Sequence, residues 1–216
     1  MSEALRRPAE QFDTRSQQHE ASLFGTWAFL ATELMFFGPL FLAYIYGRFH
    51  EGHAFALGSQ HTHLWLGSLN TAILLTSSLA MALSVRAAEA GERRALTRWL
   101  LVTALLGVVF LLVKGLEYRE EWNEGLVPVL QFAYEGPDEA GVEFFFLLYF
   151  LMTGVHALHL AIGIALVLWL AVCAKRARFE SLYSTPVEAV GLYWHFVDAL
   201  WVFLYPLLYL LERYSA

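Results

Sequence analysis

The chain has 216 residues, 58% of them hydrophobic and 16% charged, with a mean hydropathy of +0.49, which lies outside the range of soluble globular domains and reads as an integral membrane protein. The net charge of -6 gathers in one loop and the two chain ends rather than along a stripe, which argues against nucleic acid as a partner. A single cysteine, Cys173, excludes an internal disulfide, a four-thiolate zinc site and multi-cysteine clusters.

Residues 1–22 read as a polar tail, because Glu3, Arg6, Arg7, Glu10, Asp13, Arg15 and Glu20 leave no apolar core for a signal peptide. Apolar runs long enough to span a bilayer follow at about 23–47, 64–85, 96–116, 144–173 and 189–211. They predict an all-α bundle of five transmembrane helices over residues 23–213. The fourth run would measure about 45 Å as a helix, so it must tilt or project beyond a hydrocarbon core of about 30 Å. The connections are short and leave no separate soluble domain. The one long loop, Tyr118 to Gly141, carries Pro128 and Gly136-Pro137 as turn signals.

Orientation follows from Lys and Arg, which accumulate in cytoplasmic loops. Arg6, Arg7 and Arg15 precede helix 1; Arg86, Arg93, Arg94 and Arg98 surround the second loop; Lys175, Arg176 and Arg178 follow helix 4. The opposite side has Arg48, Arg119 and Arg213, with Lys114 at the outer end of helix 3. The expected topology therefore puts the N-terminus in the cytoplasm and the C-terminus outside.

Polar residues inside these runs are the candidate functional groups, since a charge at the bilayer centre costs about 3 kcal/mol on insertion scales and must face protein or trapped water. On helix 1, Glu33 lies about 15 Å from the helix start, near the midplane. It reads equally as a proton-exchanging or helix-docking carboxyl and as a protonated acid bonded to a neighbouring helix. Lys114 and Glu117 are spaced to pair and to anchor helix 3 at the interface. On helix 4, His156 and His159 share one face; they could ligate haem or a metal, but mutual or cross-helix hydrogen bonds are simpler. On helix 5, His195 and Asp198 could be an oriented base, half of a metal site, or a structural pair that fixes the helix, the last being favoured. All five mid-span groups are expected to form one mutually satisfied polar cluster, with no metal site and no catalytic residue.

Weaker signals have plainer readings. His50, His53, His61 and His63 could capture copper or zinc in the outer first loop, and Glu135, Asp138 and Glu139 could attract a basic partner; solvated loop ends give the same composition. Lipid contact and helix packing account for Trp194, Trp201 and Phe144-Phe145-Phe146. Gly25, Gly38, Gly67, Gly107, Gly154 and Gly163 fit close helix contacts.

Several strings taken together resemble subunit III of haem-copper cytochrome c oxidases, from about Leu23 to Leu211. They are Ala31-Thr32-Glu33-Leu34-Met35-Phe36-Phe37, Leu69-Asn70-Thr71 with Leu74-Leu75-Thr76-Ser77, Gly115-Leu116-Glu117-Tyr118, Thr153-Gly154-Val155-His156-Ala157-Leu158-His159 followed by Gly163, and Tyr193-Trp194-His195-Phe196-Val197-Asp198. The helix 4 and helix 5 strings are the most specific. The resemblance implies a subunit without haem or copper of its own, packed beside the catalytic subunit I and with subunit II of a proton-pumping terminal oxidase in a bacterial inner membrane, phospholipid being a further possible ligand. In that family the subunit supports proton uptake and protects the catalytic subunit from inactivation during turnover. Glu33 then matches the family's intramembrane glutamate, and His156, His159, His195 and Asp198 match its helix motifs. Many members have seven helices, two of them preceding the helix that carries the glutamate; the lipid-holding cleft those two help form is here absent or completed by another chain.

Three functions stay open at this point: the oxidase accessory subunit, the related subunit III-like protein of nitric oxide reductases, and a small transporter or proton channel built on Glu33 and the histidines. A transporter would favour paired, broken helices, and no matching Gly or Pro interruptions occur in two halves. A stand-alone enzyme is disfavoured because no nucleophile setting, metal set or phosphate loop is present.

Overall fold

Backbone groups inside a hydrocarbon layer have no water to bond, so an apolar chain crosses it only as helices or as a closed barrel. The computed structural model, which describes residues 11–176 and 184–210, takes the helical solution. In chain order the helices are α1 (Arg15–His50), a short α2 (Gly52–Gln60), α3 (Leu64–Glu89), α4 (Arg93–Asn123), α5 (Glu139–Lys175) and α6 (Thr185–Tyr205), which a π-helical turn at Pro206–Leu210 prolongs. Among the described residues, five of these helices, all but α2, are long and apolar enough to cross a membrane, as the hydropathy predicts. Arg6, Arg7, Arg178 and Arg213, which entered the orientation count, lie outside the described residues, as do residues 1–10 of the expected tail and the end of the fifth run at Leu211.

The helices outrun the apolar segments. α1 begins within the expected polar tail, at Arg15, because the Thr14 hydroxyl accepts the Gln17 N–H at 3.2 Å and caps its first turn. α5 has 37 residues, roughly 56 Å at about 1.5 Å per residue, and Glu139 places negative charge at its N-terminus, where the helix dipole favours it. The expected loop from Tyr118 to Gly141 is shorter than predicted. α4 continues through it to Asn123, and a small antiparallel ribbon follows, with β1 (Leu126–Val127) paired to β2 (Gln131–Phe132) in the register Leu126 to Phe132. Gly125 enters the ribbon at φ 71°, a left-handed conformation that glycine adopts without strain.

α3 packs on α4, α4 on α5, α5 on α6 and α6 back on α3, which closes a four-helix ring. α1 docks outside the ring, against α5 and α6, through Leu30, Phe37, Tyr44 and Gly47. α2, unforeseen in the sequence, folds over the end of α5 and buries Ala54 and Phe55.

Lipid is as apolar as leucine, so the ring is held by close packing and cross-helix hydrogen bonds rather than by the hydrophobic effect. Trp194 and Trp201 show this: both are fully buried in the bundle rather than set toward lipid. A Cβ on Gly107 would lie 2.9 Å from the Trp194 ring, and one on Gly163 would lie 3.2 Å from it, so the indole fills a notch cut by two glycines on α4 and α5. Trp201 donates its Nε1–H to Thr71 on α3 at 3.1 Å. Gly67 likewise admits Tyr209, whereas Gly25 and Gly38 have open space beside them and make no close contact, contrary to expectation, because α1 lies outside the ring.

Candidate functional site

Glu33 and His159 meet across the seam where α1 docks on α5. Glu33 Oε2 lies 2.8 Å from His159 Nε2, and the two side chains are 18% and 13% exposed. The other ring nitrogen, Nδ1, lies 2.8 Å from the Val155 carbonyl oxygen one turn earlier on α5. A carbonyl only accepts, so the hydrogen-bond pattern assigns a hydrogen to Nδ1. Nε2 then faces Glu33 in one of two ways: as an imidazolium donating to a carboxylate, or as a neutral ring accepting from a carboxylic acid. Either way one proton lies between the two residues. Tyr193 of α6 donates to the His159 backbone carbonyl at 3.0 Å, and Phe37 covers the ring edge-on at 5.2 Å between centroids. The imidazole is thus held between α1 and its own helix α5, while α6 fixes the backbone that carries it.

The single mid-depth cluster expected from the sequence does not form; its members occupy four separate settings. His195 Nδ1 takes Ser78 of α3 as its partner, at 2.7 Å, rather than Asp198. Three residues turn a helix by about 300°, so Asp198 points further into the bundle, where it is 4% exposed and neither carboxylate oxygen has a hydrogen-bond partner. His156 does not touch His159 by hydrogen bond either. Its ring is fully buried with neither nitrogen partnered, and its neighbours are aromatic: Phe110 at 5.6 Å and Trp201 at 5.1 Å between centroids.

Lys114 and Glu117 do pair, at 3.0 Å, but as a buried cluster and not as an interfacial anchor, with 3% and 0% of their side chains exposed. α4 turns Phe110, Lys114, Glu117 and Glu121 inward along one buried face. The three N–H groups of Lys114 find three oxygens: Glu117 Oε2, the Tyr149 hydroxyl at 2.6 Å and the Tyr209 hydroxyl at 2.8 Å. Both tyrosines in turn donate to Glu117 Oε1, at 3.0 and 2.6 Å. Glu121, one turn further, is also fully buried, and its two oxygens have no partner. Nothing in the local sequence separates this arrangement from a surface pair. The signal is the two tyrosines, set in apolar runs on α5 and beside α6, which only the fold brings together.

The outer histidines do not converge. His53 bonds Asp138 at 2.6 Å, His63 lies 3.2 Å from Glu120, His50 turns back to the Tyr46 carbonyl and His61 stacks edge-on to Tyr134. Among the described residues no three His, Cys, Asp or Glu side chains gather in a way that could hold a metal ion.

The architecture defines a multi-pass helical membrane protein whose polar groups mostly serve to join helices. The family model for cytochrome c oxidase subunit III matches residues 13–213. The probable cytochrome c oxidase subunit 3 of Mycobacterium tuberculosis is 31% identical over 188 residues, 87% of each chain. The cytochrome c oxidase subunit 3 of Corynebacterium diphtheriae is 30% identical over 190 residues, again 87% of each chain. The probable quinol oxidase subunit 3 of Staphylococcus epidermidis is 26% identical over 203 residues, 94% of this chain and 95% of that one. The chain belongs to the cytochrome c oxidase subunit III family.

Proposed function

We propose that this chain is the non-redox accessory subunit of a proton-pumping haem-copper terminal oxidase that reduces oxygen to water. The observation that carries this reading is the family match over almost the whole chain, together with relatives named as subunits of cytochrome c and quinol oxidases. Its partners are the catalytic subunit I and subunit II, and haem and copper reside in those partners. The compartment is a bacterial inner membrane. The charge distribution supports a cytoplasmic N-terminus and a periplasmic C-terminus, since Arg86, Arg93, Arg94, Arg98, Lys175 and Arg176 fall at one end of the bundle.

The Glu33–His159 pair gives the subunit a means to assist proton uptake. It holds one proton in a hydrogen bond of 2.8 Å, and it is partly open at the outer face of the ring. A titratable pair open to lipid is costly, so this face packs on protein or water, which supports a seat against the catalytic subunit.

The test is to tag the chain, extract native membranes in mild detergent, identify the copurifying subunits by mass spectrometry and record a reduced-minus-oxidised visible spectrum with oxygen consumption. A large haem-bearing partner and oxygen uptake are expected. Recovery of the chain alone without haem would overturn the reading, and the haem bands would separate an oxidase from a nitric oxide reductase.

A further inference from the structure

We propose that a groove between α1 and α6 binds the ring of a lipid-soluble quinone. The groove has a volume of about 410 Å³, and its lining includes Trp27, Ala31 and Leu34 of α1 and Leu192, His195 and Phe196 of α6. It lies on the α6 flank of α1, whereas Glu33 meets His159 on α5, so the two sites are separate. Small-ligand sites span about 300–1,000 Å³ and are mostly apolar, with a few polar groups that fix the ligand. Here the polar group is the imidazole of His195. Ser78 takes its Nδ1 at 2.7 Å, so Nε2 is the nitrogen left to serve the groove, and among the described residues it has no hydrogen-bond partner. The Ser78 hydroxyl either donates to Nδ1 or accepts from it, so Nε2 presents a lone pair or a hydrogen to match what arrives.

Depth and chemistry together select the occupant. His195 lies about 15 Å along α6 from its start at Thr185, at about 1.5 Å per residue, which is half of a hydrocarbon core of about 30 Å. The group that answers Nε2 must therefore sit near the midplane, where charged headgroups do not reach. Toward the N-terminal ends of the two helices the seam is closed by His19, whose Nδ1 lies 2.9 Å from the Thr185 hydroxyl and whose Nε2 lies 3.7 Å from Glu188. That rim offers a carboxylate, which repels a phosphate. A bare acyl chain fills the apolar walls but leaves the imidazole nitrogen with an unmade hydrogen bond. A quinone meets both demands: its flat, uncharged ring packs against Trp27 and Phe196, and its carbonyl, or the hydroxyl of its reduced form, bonds Nε2. Its isoprenoid tail leaves into the acyl layer. The site holds the ring without itself passing electrons.

The test uses native membranes that contain the full chain with its partners. The probe is an azido derivative of decylbenzoquinone, cross-linked by light, and the labelled peptides are mapped by mass spectrometry. Label is expected on α1 within 27–34 and on α6 within 192–196, and excess decylbenzoquinone is expected to remove it. Dodecylbenzene, of similar bulk but without oxygen, and added dioleoylphosphatidylcholine are both expected to leave it in place. His195→Leu is expected to weaken the apparent affinity about fivefold, the equivalent of roughly 1 kcal/mol for one hydrogen bond. Ala31→Phe fills the groove and leaves the bond between Ser78 and His195 intact, so it is expected to abolish the label, and it carries the test should His195→Leu fail to fold. Label absent from these two segments, displacement by dodecylbenzene or phosphatidylcholine, or labelling of both variants equal to wild type would each overturn the proposal.

Discussion

Replacing Lys114 by Met isolates the energetics of the buried cluster, since Met keeps the length and apolar stem of lysine and removes the ammonium. In the native bundle Lys114 supplies the hydrogen bond to Glu117 Oε2 at 3.0 Å, while the two tyrosine hydroxyls both donate to Oε1. The variant therefore leaves one oxygen of a carboxylate with no exposed side-chain surface unpartnered. Removing one member of a buried ion pair costs about 3–5 kcal/mol, because the other charge stays desolvated. The Lys114→Met, Glu117→Leu double variant removes both charges and should recover most of that loss. Unfolding of the full chain in mixed micelles with increasing dodecyl sulfate measures both variants and the coupling between them. A Lys114→Met variant within 1 kcal/mol of wild type, or a double variant as unstable as the two single losses summed, would refute the reasoning. Either result would mean that Glu117 finds another partner or water.

Three further outcomes are expected. Glu33→Gln keeps a hydrogen bond to His159 but cannot share its proton, so complex assembly should be intact while proton uptake and turnover slow; simultaneous oxygen-electrode and pH-jump recordings check this, and unchanged pumping would reduce the pair to a packing contact. His156→Phe should cost less than about 1.5 kcal/mol in the same micelle titration, since an aromatic ring replaces one that packs against Phe110 and Trp201 and has no hydrogen-bond partner. Gly107→Val should cost at least about 1–3 kcal/mol, because its Cβ would start 2.9 Å from the Trp194 ring, and near-ultraviolet circular dichroism of the tryptophans should weaken with it.

The spans were legible in the sequence because length and hydropathy are properties of each segment alone, and of the two solutions the solvent allows, continuous apolar runs of this length suit helices. Pairing across helices was not. Glu33 and His159 each stood out as polar groups in apolar runs, yet 126 residues separate them, and only the docking of α1 on α5 decides that they bond to each other. His195 and Asp198 were read as partners because they are near in sequence; Ser78, 117 residues from the histidine, takes its place. Lys114 and Glu117 were placed at the interface on the ordinary reading of charges near a span end. Tyr149 and Tyr209 overrule that reading by offering hydroxyls where lipid offers none. α2 was invisible because nine residues carry little periodicity, and its burial of Phe55 against Tyr44 and Phe145 is a tertiary effect. Glu121 left no mark either, sitting in a charged string that reads as exit from the membrane.

The Trp194 notch has a bearing on how such a chain can change over generations. One indole is seated by two glycines that lie 56 positions apart, so three segments share a single lock. Any one of the three can drift only against the resistance of the other two: a larger side chain on α4 or α5 evicts the ring, and a smaller ring leaves a hollow that glycine cannot fill. Substitutions here should therefore arrive in sets, with bulk moving from the tryptophan to a glycine position and never growing at both. A triplet of that kind sets the sliding register of three helices with no charged group at all, and lineages of this family can be expected to keep or exchange it whole.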